Sequence, residues 1–406
     1  MKRGTIADTV ELRVHDSIAE IPQPAWDALL DENATPFTRW HWLEAMETSG
    51  CATGETGWQA CHLSLWRGKE LIAAAPAYLK SDSDGDFSRD WGWAQGVENA
   101  GIRYYPKLSL TVPFTPCTGR RILVRAGEDR ADCIRRIVAG AVDLARRTRC
   151  SSLHVLFPEA DEADELAAAG LAKRVSYQSH WRNANYASFD DFLARFDSKK
   201  RNQAKRERNE AAKQGIGIRT LREAELREAP ERWADAAFDL HRSTVDKLMW
   251  GRRWINRAFY RRVVANMPAQ LELVAAERLS DGKLVAGAFN VASKTHLYGR
   301  YWGCFEDHRF LHFNVCMYHS IDQCIRRGVQ VFEGGAGGEH KIPRGFEPSE
   351  TFSSHLFLDA RLDKPIRDHI RAEANERERA LAYWREHTPI LKPAAAADKA
   401  LEPTGS

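Results

Sequence analysis

"LELVAAERLSDGKLVAGAFNV" (Leu271–Val291) reads as a strand, a tight turn and a second strand. Asp281-Gly282 is a strong hairpin turn, flanked by aliphatic runs. An earlier stretch, "CHLSLWRGKELIAAAPAY" (Cys61–Tyr78), has the same form: Gly-Lys at the turn, then an aliphatic pair, then small residues. The order of elements after each hairpin is alike too. After the first come a long loop, a strand-like "RRILVRAG" (Arg120–Gly127), a helix and the strand "SSLHVLF" (Ser151–Phe157). The helix, Ala131–Arg147, places Ile134, Ile137, Val138, Ala141 and Leu144 on one face. After the second come "THLYGRYWG" (Thr295–Gly303), a helix over Leu311–Arg327 and the strand "VQVFEGG" (Val329–Gly335). A helix joining neighbouring parallel strands is the βαβ unit. Hairpin, strand, helix, strand, twice over, predicts an α/β protein of two related domains, 1–177 and 178–392, followed by a disordered tail, 393–406, too poor in apolar residues to pack. A charged helix, Ile366–His387, precedes the tail.

The totals agree. At roughly 100–200 residues per domain, 406 residues make two to three domains. Hydrophobic residues are 43% and charged residues 28%, as in ordinary globular proteins. The net charge of +3 names no partner, so any electrostatic footprint is local. None of the eight cysteines forms a CxxC pair, which fits inert thiols in a reducing compartment. No apolar run follows the basic N-terminus, and no stretch of about 18 apolar residues exists, so neither a leader nor a membrane span is expected and the protein reads as cytoplasmic. Thirteen tryptophans are many; "RWHWLEAME" (Arg39–Glu47) and "DWGWAQG" (Asp90–Gly96) set them beside charges, which suits a ligand groove or an amphipathic core edge.

Three stretches carry chemistry. "SKKRNQAKRERNEAAK" (Ser198–Lys213) has no Gly or Pro and reads as a helix. Lys199, Lys200, Arg201, Lys205, Arg206, Arg208 and Lys213 stand against Glu207 and Glu210, a net +5. The first six are candidates for an anion or nucleic-acid site; a solvated helix face is the other reading. Just upstream, Trp181 and Tyr186 offer rings for base stacking. In the Leu311–Arg327 helix, His312, Cys316 and His319 fall at i, i+4 and i+7, but no further ligand at fixed spacing accompanies them, and no metal is expected. Asn314 and Tyr318 share another face.

The third is "FEGGAGGEHKIPRGF" (Phe332–Phe346). It follows a strand, and ligands of open α/β sheets bind beyond the carboxyl ends of strands. Glycines there admit positive φ and bring backbone N–H groups close to a ligand. Glu333, Glu339, His340, Lys341 and Arg344 add acid, base and anion-binding groups. A Walker loop is excluded by the missing Gly-Lys-Ser/Thr, and no helix opens from the loop as a dinucleotide fingerprint requires.

The run Tyr301–Pro348, with its Glu-x-Gly-Ala-x-Gly-Glu-His-Lys loop and Arg-Gly pair, resembles the FemAB-like predicted N-acyltransferases. "HWRNANYASFDDFLARFDSKKRNQAKRER" (His180–Arg208) resembles that family's central motif, and Asp90–Leu123, with Tyr-Tyr-Pro-Lys-Leu and Pro-Phe-Thr-Pro, its N-terminal one. The resemblance reaches to about residue 385. It implies two tandem GNAT-like domains with mixed sheets and transfer of an acyl or aminoacyl group to an amine, on a small molecule, a peptide or a cell-wall precursor. No tightly bound cofactor is implied; acyl-CoA or aminoacyl-tRNA is the co-substrate. The Arg/Gln-x-x-Gly-x-Gly/Ala pyrophosphate loop of most GNAT enzymes is missing after either candidate strand, where "RAGEDRAD" (Arg125–Asp132) and "CFEDHRFLH" (Cys304–His312) stand. This departure leaves room for tRNA.

For transfer, Glu333, Glu339 or His340 would take the acceptor's proton. Backbone N–H groups of Gly334–Gly338 would hold the oxyanion, and Gly334, Gly335, Gly337 and Gly338 would shape the substrate site. Tyr301 or Tyr318 would protonate the leaving atom, and Lys341 and Arg344 would hold a carboxylate or phosphate. Trp181, Asn183, Trp302, His312 and Asn314 are further candidates for substrate contact. A non-catalytic protein of the same fold that recognises tRNA or a peptidoglycan precursor is the competing reading. The sequence sets no oligomeric state.

Overall fold

The structure is a computed structural model that describes residues 9–247, 252–335 and 339–387. The first hairpin has bent arms. One arm is β2 (Trp58–Ala60) and β3 (His62–Arg67), and the other β4 (Glu70–Ala75) and β5 (Ala77–Lys80), with β1 (Val10–His15) alongside β3. Pro76 lacks the N–H a ladder needs. The arms bend there and at Cys61, whose N–H still reaches Ala77 O at 2.9 Å. β3 and β4 thereby enter a four-stranded sheet, and β2 and β5 the end of an eleven-stranded one.

The remaining strands are β6 (Lys107–Leu110), β7 (Leu123–Val124), β8 (Ser152–Leu156), β9 (Ala172–Arg182), β10 (Ile216–Leu221), β11 (Leu271–Arg278), β12 (Leu284–Ala292), β13 (His296–Cys304), β14 (Val331–Glu333) and β15 (Glu347–Phe357). The long sheet runs β10-β11-β12-β13-β14-β9-β15-β8-β6-β5-β2. Two of its pairings are parallel, β6 with β8 and β13 with β14. The helix Arg130–Arg147 lies between the first two strands in sequence, and the helical run Leu311–Arg327 between the second two. The doubled βαβ order is therefore present, with one correction. Arg120–Gly127 supplies only β7, antiparallel to β4. The strand parallel to β8 is β6, inside the stretch expected to be loop. All four of its residues are buried, Lys107 included, so it lacks the alternation that marks a half-buried strand. The Lys107 ammonium is accommodated by Asp86 (2.8 Å) and Asp90 (2.5 Å).

The two halves share the sheet. β15, late in the sequence, runs antiparallel to β9 over nine residue pairs and separates it from β8. Position 177 falls inside β9. The tail 393–406 lies outside the described residues. The largest core cluster also joins the halves: Trp42 packs edge-to-face on Phe37 and Phe259, at 4.9 and 5.0 Å. Trp42 and Trp93 are buried, and Trp40 packs at the core edge with its indole N–H on the carbonyls of Ile18 and Ile21. Trp40 and Trp42 build core, whereas Trp93, though buried, also lines a groove of about 650 Å³ and Trp91 is exposed. Near the C-terminus the helix begins earlier than expected, at Ala360, with Pro365 in its first turns.

Candidate active site

β13 and β14 are paired over three residues only, His296–Tyr298 against Val331–Glu333. β13 then continues beside β12 to Cys304, while the ladder with β14 ends at Glu333, and Gly335 still lies against the Gly299 carbonyl of β13. Cavities open on both faces of the sheet there. Side chains alternate along a strand. Glu333 faces one cavity, while Phe332 and Gly334 face the other.

The Glu333 face is a cleft of about 660 Å³. The strand registers align its walls. Tyr298, Glu333, His180 and Glu347 lie in one row across β13, β14, β9 and β15. His296, Val331 and Arg182 form the next row, two residues along. Glu333 is 3% exposed, and its carboxylate receives one long hydrogen bond, from the Thr118 N–H at 3.4 Å. Burial pushes its carboxyl up to about 8, against the pull of Arg121, Arg300 and Arg182. Burial also holds the imidazoles neutral: His180 is pushed down to about 3 and His296 to about 4, with Arg182 adding to both. His180 Nε2 is buried and has no hydrogen-bond partner among the described residues. Of the motif loop's described residues only Glu333 lines this cleft. His180, Arg182, His296 and Tyr298 are not singled out by the sequence motifs, although i, i+2 spacing on two strands was a signal for them.

The opposite cavity, about 160 Å³, is where the glycine loop contributes. Tyr301, Trp302, His312, Gly334, Gly335, His340 and Lys341 all line it, with Cys316 and Asn290. Gly335 has φ +80°, a conformation that disfavours any side chain, and this aims its carbonyl at Lys341 Nζ, 2.7 Å away. Burial lowers the Lys341 ammonium to about 8. The imidazoles of His312 and His340 meet edge-on at 5.5 Å, and the ring of Trp302 lies 5.0 Å from His312. Burial lowers both histidines, His312 to about 4. Tyr301 stacks on His241 at 4.1 Å, beside Arg300, and burial raises its hydroxyl. The cavity lies against a π-helical turn, Asn314–Tyr318, in the middle of the run predicted as one helix. Such turns recur at functional sites.

Other predicted residues are placed elsewhere. Tyr318 donates to Glu207 Oε2 at 2.7 Å, Arg344 pairs with the same carboxylate, and Asn314 Nδ2 donates to the Glu207 carbonyl at 2.7 Å. These three tie the basic helix to the loop, and none of the three lines the cleft or the cavity. Trp181 is fully buried against Tyr186 and Phe192. Asn183 donates to Val329 O and accepts from the Tyr186 N–H. Gly337 and Gly338 lie outside the described residues, as does the side chain of Glu339; its backbone opens the short helix Glu339–Arg344. His319 turns to Thr220 Oγ1 at 2.8 Å, away from His312 and Cys316. Among the described residues no group of three or more His, Cys, Asp or Glu side chains is arranged to hold a metal.

The basic helix spans Ser198–Lys213 as expected, with the Asp197 carboxylate accepting from the Lys200 N–H at its start. Ala204, Glu207 and Ala211 face inward. Arg201 donates to Phe196 O, and Arg208 pairs with Asp322 above the Phe189 ring. Lys205 is 3.4 Å from Asp190. Lys199, Lys200 and Arg206 form no ion pair among the described residues, so they carry what remains of an anion-binding face.

The turn between β13 and the following helix is where a GNAT fold would hold the pyrophosphate of coenzyme A. It contains Glu306, engaged with Arg278 and Lys283, and Asp307, and has no glycine. The turn also carries His308 and the exposed Arg309, so its charge is mixed, but it lacks the glycines that bring backbone N–H groups close to a pyrophosphate.

Two hairpin–strand–helix–strand halves, each with a parallel pair in a mixed sheet, define a tandem GNAT-like α/β protein. The chain belongs to the FemAB-like family, described as peptidoglycan biosynthesis/recognition, whose model matches residues 17–392. Two solved structures with a TM-score above 0.5 agree on the fold. The crystal structure of FemX is 12% identical over 88% of this chain and 100% of that one, with a TM-score of 0.51. The C-terminal domain of a putative lysylphosphatidylglycerol synthetase from Agrobacterium fabrum is 11% identical over 87% and 96%, also at 0.51. A tandem GNAT protein from the clavulanic acid biosynthesis pathway covers 86% of this chain and 99% of its own at 11% identity, with a TM-score of 0.45. No match to the sequence is found among curated proteins. No helix among the described residues is long and apolar enough to cross a membrane.

Proposed function

We propose that the chain is an N-acyltransferase that moves an aminoacyl or acyl group from an activated donor to an amine acceptor in peptidoglycan-related metabolism. The observation that carries this reading is Glu333: a buried carboxyl, proton-binding near neutrality, at the end of the ladder between two parallel strands. Glu333 and Gly334 are consecutive yet open onto opposite faces. A donor in the Tyr301–Lys341 cavity and an amine in the Glu333 cleft would meet at that point.

The acceptor arrives as an ammonium. Glu333 takes its proton, and a base with a pKa near the working pH does this best. The freed nitrogen attacks the donor carbonyl; a C–N bond forms and the C–O bond of an ester, or the C–S bond of a thioester, breaks. The leaving oxygen or sulfur receives a proton from the cavity side, where Tyr301, His340 and Lys341 stand. The poor fit of coenzyme A and the Lys199–Arg206 face favour aminoacyl-tRNA as donor, and that donor sets the reaction in the cytoplasm.

The test is transfer of radiolabel from bulk charged tRNA, and separately from a panel of acyl thioesters, to an extract of peptidoglycan precursors. Label should move from tRNA with the wild type and not with Glu333→Gln. Movement only from thioesters would change the donor. No movement from either, by folded protein, would favour a binding protein.

A further inference from the structure

The cleft around Glu333 carries more polar structure than proton transfer to a simple amine requires. Arg182, on the second row, makes no ion pair among the described residues; its nearest polar partner is Ser349 Oγ, at 3.5 Å. The buried His180 Nε2 in the first row lacks a partner among the described residues. Buried polar atoms are rarely left unpaired, so this one points to a ligand. The two rows differ in charge. In the first, Glu347 is the carboxylate beside His180, while Glu333 holds its proton until about pH 8; Arg182 and His296 occupy the second. Burial keeps His296 neutral, leaving Arg182 as the cation of that row. Glu159, on the cleft wall, is engaged by Arg120 at 2.9 Å, and Glu347 lies 3.8 Å from Arg195.

We infer that the cleft recognises an amine bearing a carboxylate on the same carbon, an α-amino acid or the equivalent end of a larger molecule: the ammonium sits on the Glu333–His180–Glu347 row and the carboxylate on Arg182. The rows lie two residues apart, about 6.7 Å. An α-amino acid with one charged hydrogen bond of about 2.8 Å at each end spans somewhat more than this, so it fits lying obliquely between the rows. Arginine's planar fork matches a carboxylate in two-bond geometry. A plain amine would leave Arg182 unmatched, and an amine with a distant carboxylate could not bridge the rows. The inference rests on the acyltransferase reading only for calling this ligand the acceptor.

The test is calorimetric titration of the full chain, without any donor, with L-lysine, cadaverine (lysine lacking its carboxylate) and 6-aminohexanoate (lysine lacking its α-amine). L-lysine should bind at least tenfold tighter than either. Arg182→Ala should remove that preference, and Arg182→Lys should restore part of it; Arg182 is exposed, so neither change threatens the fold. Equal binding of cadaverine and lysine, unchanged discrimination in Arg182→Ala, or no saturable binding of lysine would overturn the inference. Since no turnover is required, loss of this preference alongside acyl transfer to other amines would remove the inference alone. Amino-acid binding without transfer from any donor would instead remove the acyltransferase.

Discussion

Arg344 and Glu207 are 137 residues apart in sequence and form a buried ion pair: Arg344 Nη2 lies 3.0 and 3.1 Å from the two carboxylate oxygens, and Nε donates at 3.1 Å. The Tyr318 hydroxyl donates to the same carboxylate. The pair fastens the inner face of the basic helix to the loop that carries His340 and Lys341. It also fixes the guanidinium over the Phe313 ring.

Removing one partner leaves the other charge buried and unmatched, at a cost of about 3–5 kcal/mol. Glu207→Ala should therefore be strongly destabilised in urea unfolding, and Arg344→Ala likewise. A Glu207→Met/Arg344→Met double variant should recover part of the loss, because two apolar groups of similar length need no partner, although the buried Tyr318 hydroxyl still loses its acceptor. Additive losses in the double variant would mean that the pair does not act as a unit.

The strand carrying Tyr301 approaches the helix Pro230–Val245 backbone to backbone. A Cβ at Gly303 would lie 1.7 Å from the Leu240 carbonyl oxygen. Gly303→Ala must push the helix from the sheet, and a loss of about 3 kcal/mol or more is expected, at the upper end for overpacking. Gly96 is the contrast. It lies in the helix Trp91–Asn99 with nothing within 4 Å of its would-be Cβ. Gly96→Ala should stabilise by about 0.5–1 kcal/mol. Melting temperatures that move the same way in both variants would contradict this account of the close approach.

The fold was legible where local signals were strong. The Asp281-Gly282 turn, the amphipathic Arg130–Arg147 helix and the repetition of the order after each hairpin all have short-range causes. β6 was hidden because the lysine within it is buried by partners 17 and 21 positions upstream. In the sequence Glu207 counts only as a charge subtracted from a basic face, since nothing local reveals that it points inward to Arg344. The Glu333 loop stood out in composition, and its cavity residues Tyr301, Trp302, His312, His340 and Lys341 converge. Neither the row of Tyr298, Glu333, His180 and Glu347 nor the separation of the loop into two faces could be seen, because register across four strands is a tertiary property.

The basic helix separates structural cations from available ones. Lys199 and Arg206 are exposed, whereas Arg208 is held by Asp322 and Phe189. Bulk charged tRNA should bind with an affinity that falls steeply as salt rises. Lys199→Glu/Arg206→Glu should flatten that dependence by about 0.7–0.9 for each phosphate no longer neutralised. Arg208→Ala should lower thermal stability while leaving the slope nearly unchanged. An equal slope in the wild type and the double variant would take the helix out of tRNA binding.

Glu333 also makes a prediction for stability that needs no substrate. Its folded pKa, about 8, lies above the ordinary carboxyl value of 4.5. Between those values the folded chain holds a proton that the unfolded chain has released, so this group lowers stability as pH rises through the window. Below the window the buried neutral acid carries no such penalty; above it the full cost of a buried anion is present, a few kcal/mol at about 1.4 kcal/mol per unit. Glutamine cannot ionise. Glu333→Gln should therefore match the wild type near pH 4.5 and become progressively more stable than it up to pH 8, with the other titrating groups cancelling in the difference. Urea midpoints for both proteins at pH 5, 6.5 and 8 measure this directly. Parallel midpoints across the range would mean that Glu333 ionises as an ordinary carboxylate, and its role as a proton acceptor poised near neutrality would fall with that result.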